Sequence, residues 1–335
     1  MQKILMIIVG LIMFMILILI HELGHFAVAK WTGIKVNEFS IGMGPKIKQT
    51  RKKETLYTIR VLPIGGYVAM EGEDENSSDP RSFENAKAWQ RFLTILAGPL
   101  MNFFLAFLVL SILFALRGVP VAKVGEVLDK SPAMEVGLME DDEILEINHI
   151  KINKFEDISK VFNETKDREV EIKINRQGQE KLLTIKPVKE GANYLVGFAP
   201  KYERHIQSSI KEGFFTVGHL IRELWNGLKL LFTGQVGIDQ VSGPVGVIQQ
   251  MNNQAKEGAM NLMFFFAFIS VNLGFFNLLP IPALDGSKLL FIIIEKIKGS
   301  PVNKKIEQNI TIVGFLLLLA LIFLVSMKDI YYIFK

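Results

Sequence analysis

An uninterrupted apolar run of seventeen residues, 4–20, ends directly in His21-Glu22-Leu23-Gly24-His25. A run of that length calls for a helix in lipid, because only a helix satisfies its own backbone groups where water is absent. On a helix, residues four apart share a face. His21 and His25 can therefore present two imidazole nitrogens to one zinc ion, with Glu22 beside them. Zinc lowers the pKa of water toward neutrality, and an adjacent carboxylate can take the proton and pass it to a leaving amine. That is chemistry for hydrolysing a peptide bond at the edge of a membrane. The competing reading is a signal peptide cleaved near Ala27-Val28-Ala29. It leaves two histidines and a glutamate at metal spacing without a use, and the apolar run exceeds a usual signal-peptide core.

Half of the 335 residues are hydrophobic, too many for one soluble domain and suited to several spans separated by soluble segments. Residues 92–116, 262–284 (continuing through Asp285 to 294) and 309–327 join the first run as spans, giving a polytopic α-helical membrane protein with four transmembrane helices. There is no cysteine, so any metal ligand must be His, Asp or Glu. Residues 30–91 carry eleven Lys and Arg and residues 296–305 four more, which places both segments in the cytoplasm. The positive-inside bias explains the mild basicity, and no basic and aromatic interleaving points to nucleic acid. The chain divides into a first span with the histidine motif (1–30), a cytoplasmic loop with a β-hairpin (31–91), a second span (92–117) and an inserted extracytoplasmic domain (118–190). A linker with an amphipathic helix (191–261), a third span (262–295), a cytoplasmic loop (296–308) and a fourth span with its tail (309–335) follow.

Two histidines leave zinc short of a protein ligand, and Asp285 in Asn277-Leu278-Leu279-Pro280-Ile281-Pro282-Ala283-Leu284-Asp285-Gly286 is the candidate third. An unpaired acid in a span costs roughly 2.5–3.5 kcal/mol, an objection that coordination removes. Pro280 and Pro282 break the helix, which is tolerated at membrane depth only beside protein or a water-filled cavity. Taken alone, Asp285 also reads as the cap of a short helix starting at Gly286.

The H-E-x-x-H of the first span and the N-x-x-P-x-P-x-L-D-G of the third, together, resemble the site-2 protease family of intramembrane zinc metalloproteases, and within it the bacterial regulator of sigma-E proteases. The resemblance extends through Gly42-Met43-Gly44-Pro45, Gly65-Gly66-Tyr67-Val68, Gly98-Pro99-Leu100-Met101-Asn102 and Ser242-Gly243-Pro244-Val245-Gly246. It implies that His21, His25 and Asp285 ligate Zn²⁺, that Glu22 is the general acid and base, and that Asn277 and Pro280 line the substrate site. It further implies a bacterial inner-membrane location and single-span membrane proteins as substrates, such as an anti-sigma factor or a signal-peptide remnant.

A helical substrate hides its amides, so cleavage requires unwinding and new partners for the freed backbone. Residues 56–70 are β-branched and aromatic, and Gly65-Gly66 followed by Tyr67 is expected to let a membrane-associated hairpin fold back, offering an edge to which substrate adds as a strand. Gly98 and Pro99 read as a packing kink in the second span, and Asn102 either as a bond toward the site or as an ordinary interhelical bond. Residues 119–188 are similar to bacterial PDZ domains: strands at 121–127, 144–147 and 169–175, a short helix from Ser131 to Val136 and another over 155–164, an inserted α+β module. Such a domain over the outer entrance would admit only a substrate already trimmed. Ile210, Phe214, Val217, Ile221, Leu224, Leu228 and Leu231 form one apolar helical stripe. His149, His205 and His219 lack metal-spaced partners and read as surface residues. Glu71-Gly72-Glu73-Asp74-Glu75 and residues 76–80 read as a solvated loop. A non-enzymatic PDZ scaffold and a metal transporter are the rival readings; neither needs Glu22 beside His21.

Overall fold

The computed structural model describes residues 2–73, 77–191, 193–235, 237, 242–300 and 302–334. Among the described residues, four helices are long and apolar enough to cross a membrane: α1 (Gln2–Thr32), α2 (Ala88–Arg117), α7 (Ala259–Leu278) and α9 (Lys304–Phe334). Their outward faces carry exposed Ile, Leu and Phe, including Leu316, Leu317, Phe323 and Leu324 on α9. Such a surface suits lipid rather than water.

The third expected span is two helices. α7 stops at Leu278 because Pro280 supplies no N–H and pushes Leu279 into an extended conformation, with φ −67° and ψ 144°. Residues 279–284 are non-helical, and α8 (Asp285–Lys298) then begins at Asp285, one residue before the expected start at Gly286. Asp285 is therefore the first residue of a new helix, not a residue inside a span. Gly286 is required there: a Cβ would strike the carbonyl oxygens of Leu278 and Leu279, the last groups of α7. The prolyl segment is also braced from α9, where a Cβ on Gly314 would collide with Pro282.

Between α1 and α2 run β1 (Val36–Lys52) and β2 (Thr55–Met70). The reversal lies at Lys53-Glu54, with Lys53 at φ 56°, and not at the expected Gly65-Gly66. Both strands bend, so residues 38–41 are paired on two sides. One side is Leu56 to Ile59, with residue numbers rising together, and the other is Gly66 to Ala69, with numbers opposed. Gly42 and Gly65, at φ 83° and 80°, make the bends. The Gly-Gly pair thus carries the chain across to a new edge. Among the described residues no other strand pairs with the outer side of 66–70. Val36 and Met70 join Ala29, Ile34, Ile95, Leu289 and Ile292 in one buried cluster, which fixes the hairpin base to α1, α2 and α8.

Of the expected solvated loop, Asp74, Glu75 and Asn76 lie outside the described residues. Glu71 and Asp79 are ion-paired to Lys35 at 3.3 and 2.9 Å, so the loop is organised around a lysine.

Residues 111–212 form a second compact unit. Its sheet has the order β10 (Phe198–Glu203), β3 (Val119–Val127), β4 (Glu143–Ile147), β6 (Val170–Arg176), β7 (Gln179–Ile185), with β5 (Ile150–Lys151) beside β4. β8 (Val188–Glu190) and β9 (Asn193–Leu195) make a separate ladder. α3 (Pro132–Glu135) is capped by Ser131, and Ile158, Val161 and Phe162 of α4 (Phe155–Thr165) join the core under the sheet. This is the inserted α+β module. Asn148 and His149, at φ 49° and 62°, make the tight turn that a glycine would ease, and buried Asp142 is held by Arg176 at 2.6 Å.

α5 (Ile206–Phe232) spans the expected stripe, but only part of that stripe is covered: Val217 is buried and Ile221, Leu224, Leu228 and Leu231 are half-buried, while Ile210 and Phe214 are exposed. α6 (Pro244–Glu257) has no counterpart among the expected elements. Its first turn is tied to α9 by Asp329, whose buried carboxylate accepts the N–H groups of Gly243 at 2.9 Å and Gly246 at 2.8 Å. Both glycines leave room for that oxygen, since a Cβ on either would lie about 3 Å from it. The helix N-terminus also favours the negative charge.

Asp329→Ala would strand both N–H groups, at a cost on the order of 1–3 kcal/mol each. A thermal melt in detergent should show a lower unfolding temperature for Asp329→Ala and a smaller drop for Asp329→Asn, which still offers an acceptor. Equal melting of all three proteins would contradict this.

Candidate metal centre

Helical spacing puts the rings of His21 and His25 edge to face, 4.8 Å apart, on the buried side of α1. Asp285 meets them from the start of α8. Its Oδ2 lies 3.0 Å from Nε2 of His21 and 3.3 Å from Nε2 of His25, and the two Nε2 atoms are 3.2 Å apart. Nδ1 of His25 donates to the carbonyl of Thr94 at 2.8 Å, so Nε2 of that ring carries a lone pair. Oδ2 of Asp285 is buried without a hydrogen-bond partner. Once Nε2 of His21 is free of its proton as well, three electron pairs converge on one buried point, which is unfavourable unless a cation joins them. Zinc takes N and O ligands at about 2.0–2.2 Å in a tetrahedron, whose edges are then about 3.3 Å. The three donor separations fit that edge. Among the described residues this is the group of His and acidic side chains positioned to hold a metal.

α2 closes the site from one side. A Cβ on Gly24 would strike the carbonyl of Ala97, so α1 and α2 touch backbone to backbone. A Cβ on Gly98 would collide with the His25 ring and lie 2.9 Å from Nε2 of His21. Gly98 is therefore the space the two imidazoles occupy, more than the packing kink read from the sequence. Behind the rings, the amide of Asn102 lies 3.1 Å from Nδ1 of His21. Thr94 and Gly98 carried no local signal for these contacts; their positions four apart on α2 facing the i and i+4 histidines are visible only once the helices are paired.

The centre opens into a cavity of about 540 Å³ lined by Glu22, Tyr67, Val68, Ala69, Asn277 and Ala283 among others. The open side of strand residues 66–70 supplies one wall. Gly66 approaches Glu22 closely, with its Cβ position 3.8 Å from Cγ. Tyr67 is held from behind by Arg60, whose Nη2 is 2.5 Å from its hydroxyl and 2.9 Å from Glu38. Burial opposes ionisation of Glu38, but bonds from Thr58, Arg60 and Tyr67 outweigh it and hold its carboxyl below the usual range. Asn277 donates one N–H to the carbonyl of Leu273 at 2.9 Å, leaving the other hydrogen available. Pro280 is exposed and Gly65 buried, and neither lines the cavity; they shape the segments that do. Glu73, expected in solvent, reaches the cavity and pairs with Lys288 of α8 at 2.6 Å.

Residues 9–321 match the model of peptidase family M50. The chain is 38% identical over 330 residues to a protein of Clostridium acetobutylicum, covering 97% of both. It is 40% identical over 328 residues to one of Clostridium perfringens, covering 97% of this chain and 98% of that one. A third, from Fusobacterium nucleatum, is 36% identical over 336 residues, covering 98% and 99%. All three are named zinc metalloproteases. A quarter of the chain is also similar to the PDZ domain of the SdrC-like protein of Listeria monocytogenes, at 22% identity and a TM-score of 0.22, covering 87% of that chain.

Gly98→Ala should displace the imidazoles and lower zinc retention, measured by elemental analysis after dialysis, by roughly the 10–100-fold typical of disturbed ligand surroundings. Gly218→Ala, on α5 with open space at its Cβ position, should keep wild-type metal content. Full zinc in Gly98→Ala would contradict the packing argument.

Proposed function

Because the chain belongs to peptidase family M50 and is a zinc metalloprotease with four apolar helices suited to lipid, we propose that it is an intramembrane endopeptidase for single-span membrane proteins. The observation that carries this reading is the convergence of His21, His25 and Asp285 within 3.3 Å beside Glu22, in a cavity with an open strand edge.

In this reading His21, His25 and Asp285 hold the zinc, which when bound supplies a Lewis acid and brings the pKa of water near neutrality. Glu22 takes the proton of the attacking water and returns it to the leaving amine. Peptide hydrolysis consumes one water and forms one carboxylate and one amine, so one proton carrier suffices. Residues 66–70 bind the unwound substrate as an added strand, its N–H and C=O groups replacing the helical bonds the substrate gives up. Asn277 donates its free N–H to the substrate backbone or to the developing oxyanion. Pro280 and Gly65 act indirectly, by ending α7 and bending β2. The basic segments lie in the cytoplasm of a bacterium, with the centre toward that side and the PDZ-like domain outside. Residues 119–188 restrict cleavage to substrates already shortened, such as a trimmed anti-sigma factor or a signal-peptide remnant.

Reconstituted with a labelled single-span substrate, Glu22→Gln should retain zinc and lose about 10²–10⁴-fold in cleavage rate. Undiminished cleavage would remove Glu22 from the mechanism. Deleting residues 119–188 should raise the rate on full-length substrate while leaving the rate on trimmed substrate alone; equal effects on both would remove the filter.

A further inference from the structure

We propose that Asn102 is a positioning residue whose side-chain oxygen fixes the tautomer of His21 and thereby sets the affinity of the centre for zinc. The inference rests on His21 being a ligand.

The two histidines are supported differently. Nδ1 of His25 meets a main-chain carbonyl, that of Thr94, which can only accept, so the proton on Nδ1 is fixed by the backbone. Among the described residues, Nδ1 of His21 meets the carboxamide of Asn102, which can accept or donate depending on which end it turns toward the ring. With Nδ2 toward the ring, Asn102 donates to Nδ1; the ring proton is then on Nε2, where it blocks coordination. Oδ1 is in that case buried with no partner. Half a turn of the amide exchanges the two ends without changing its shape. Oδ1 then accepts the Nδ1 proton, the unpartnered position passes to Nδ2, and the Nε2 lone pair faces Oδ2 of Asp285 and Nε2 of His25 with the metal position between them. Zinc selects this orientation, because only a ring protonated at Nδ1 leaves Nε2 free to coordinate.

Asn102 is held for this task. It is fully buried, and its main-chain carbonyl accepts the hydroxyl of Ser270 at 2.7 Å, a residue of α7 that is fully buried too. A Cβ on Gly274, one turn further along α7, would lie 2.9 Å from the carbonyl of Pro99, so α7 and this part of α2 are locked together. Three spans therefore meet behind one ring.

The test is zinc affinity of the full-length protein in detergent, by competition with a chromophoric chelator, alongside the melting temperature of each metal-free variant. Asn102→Leu, which has no acceptor, should bind zinc 10–100-fold more weakly than wild type. Asn102→Asp, which presents an acceptor at the same place and makes the imidazole more basic, should bind at least as tightly as wild type. Wild-type affinity in Asn102→Leu overturns the proposal, and so does equal weakening in both variants. If Asn102→Leu does not fold, Asn102→Asp decides alone: affinity below wild type overturns the proposal. His21→Ala separates this from the metal reading, because unaltered zinc binding in His21→Ala overturns the ligand assignment itself.

Discussion

Three electron-rich atoms from two separate helices meet within 3.3 Å at a buried point, and much of the molecule is arranged so that they can. Lone pairs forced together away from water repel one another, and burial of Asp285 adds a desolvation cost. A divalent cation reverses the sign of both contributions. A metal held by ligands of both helices would couple its own binding to the seating of α8 against α1.

That coupling explains why the elements around the centre are so tightly specified. Residues 279–284 must end one helix, turn and start another within a few ångströms of the histidines, which is why prolines stop α7 and Gly286 lies against its final carbonyls. α9 supports the same segment through Gly314 and is itself tied to α6 through Asp329. The hairpin brings an unpaired strand edge to the cavity by changing partners at Gly42 and Gly65. The candidate metal-binding groups thus sit on helices, His21 and His25 within α1 and Asp285 at the start of α8, while the facing wall is a strand whose outer side has no strand partner among the described residues.

The candidate ligand set was legible in the sequence because His21 and His25 are local partners at helical spacing, and because Asp285 is an acid in an otherwise apolar, proline-broken stretch. The four apolar helices and the module inserted between α2 and α5 were legible for similar reasons of period and length. Contacts that depend on which helix faces which were not. Thr94 looks like an ordinary occupant of an apolar helix and Gly98 like a packing kink until α2 is set against α1, and only then is the open choice for Asn102 decided for a bond toward the site. Gly65-Gly66 looked like a turn because glycine pairs usually make one; here the turn falls at Lys53-Glu54, and the glycines relieve a bend. The Asp329 link was invisible because its partners are two backbone N–H groups more than eighty residues away.

The most direct test of the central claim is zinc K-edge X-ray absorption on the purified, fully loaded protein and on Asp285→Ala. One zinc per chain, with two imidazole nitrogens and a carboxylate oxygen in the wild type and loss of that oxygen in the variant, is the predicted result. A wild-type spectrum with fewer than two imidazoles, or one that Asp285→Ala leaves unchanged, would contradict the account.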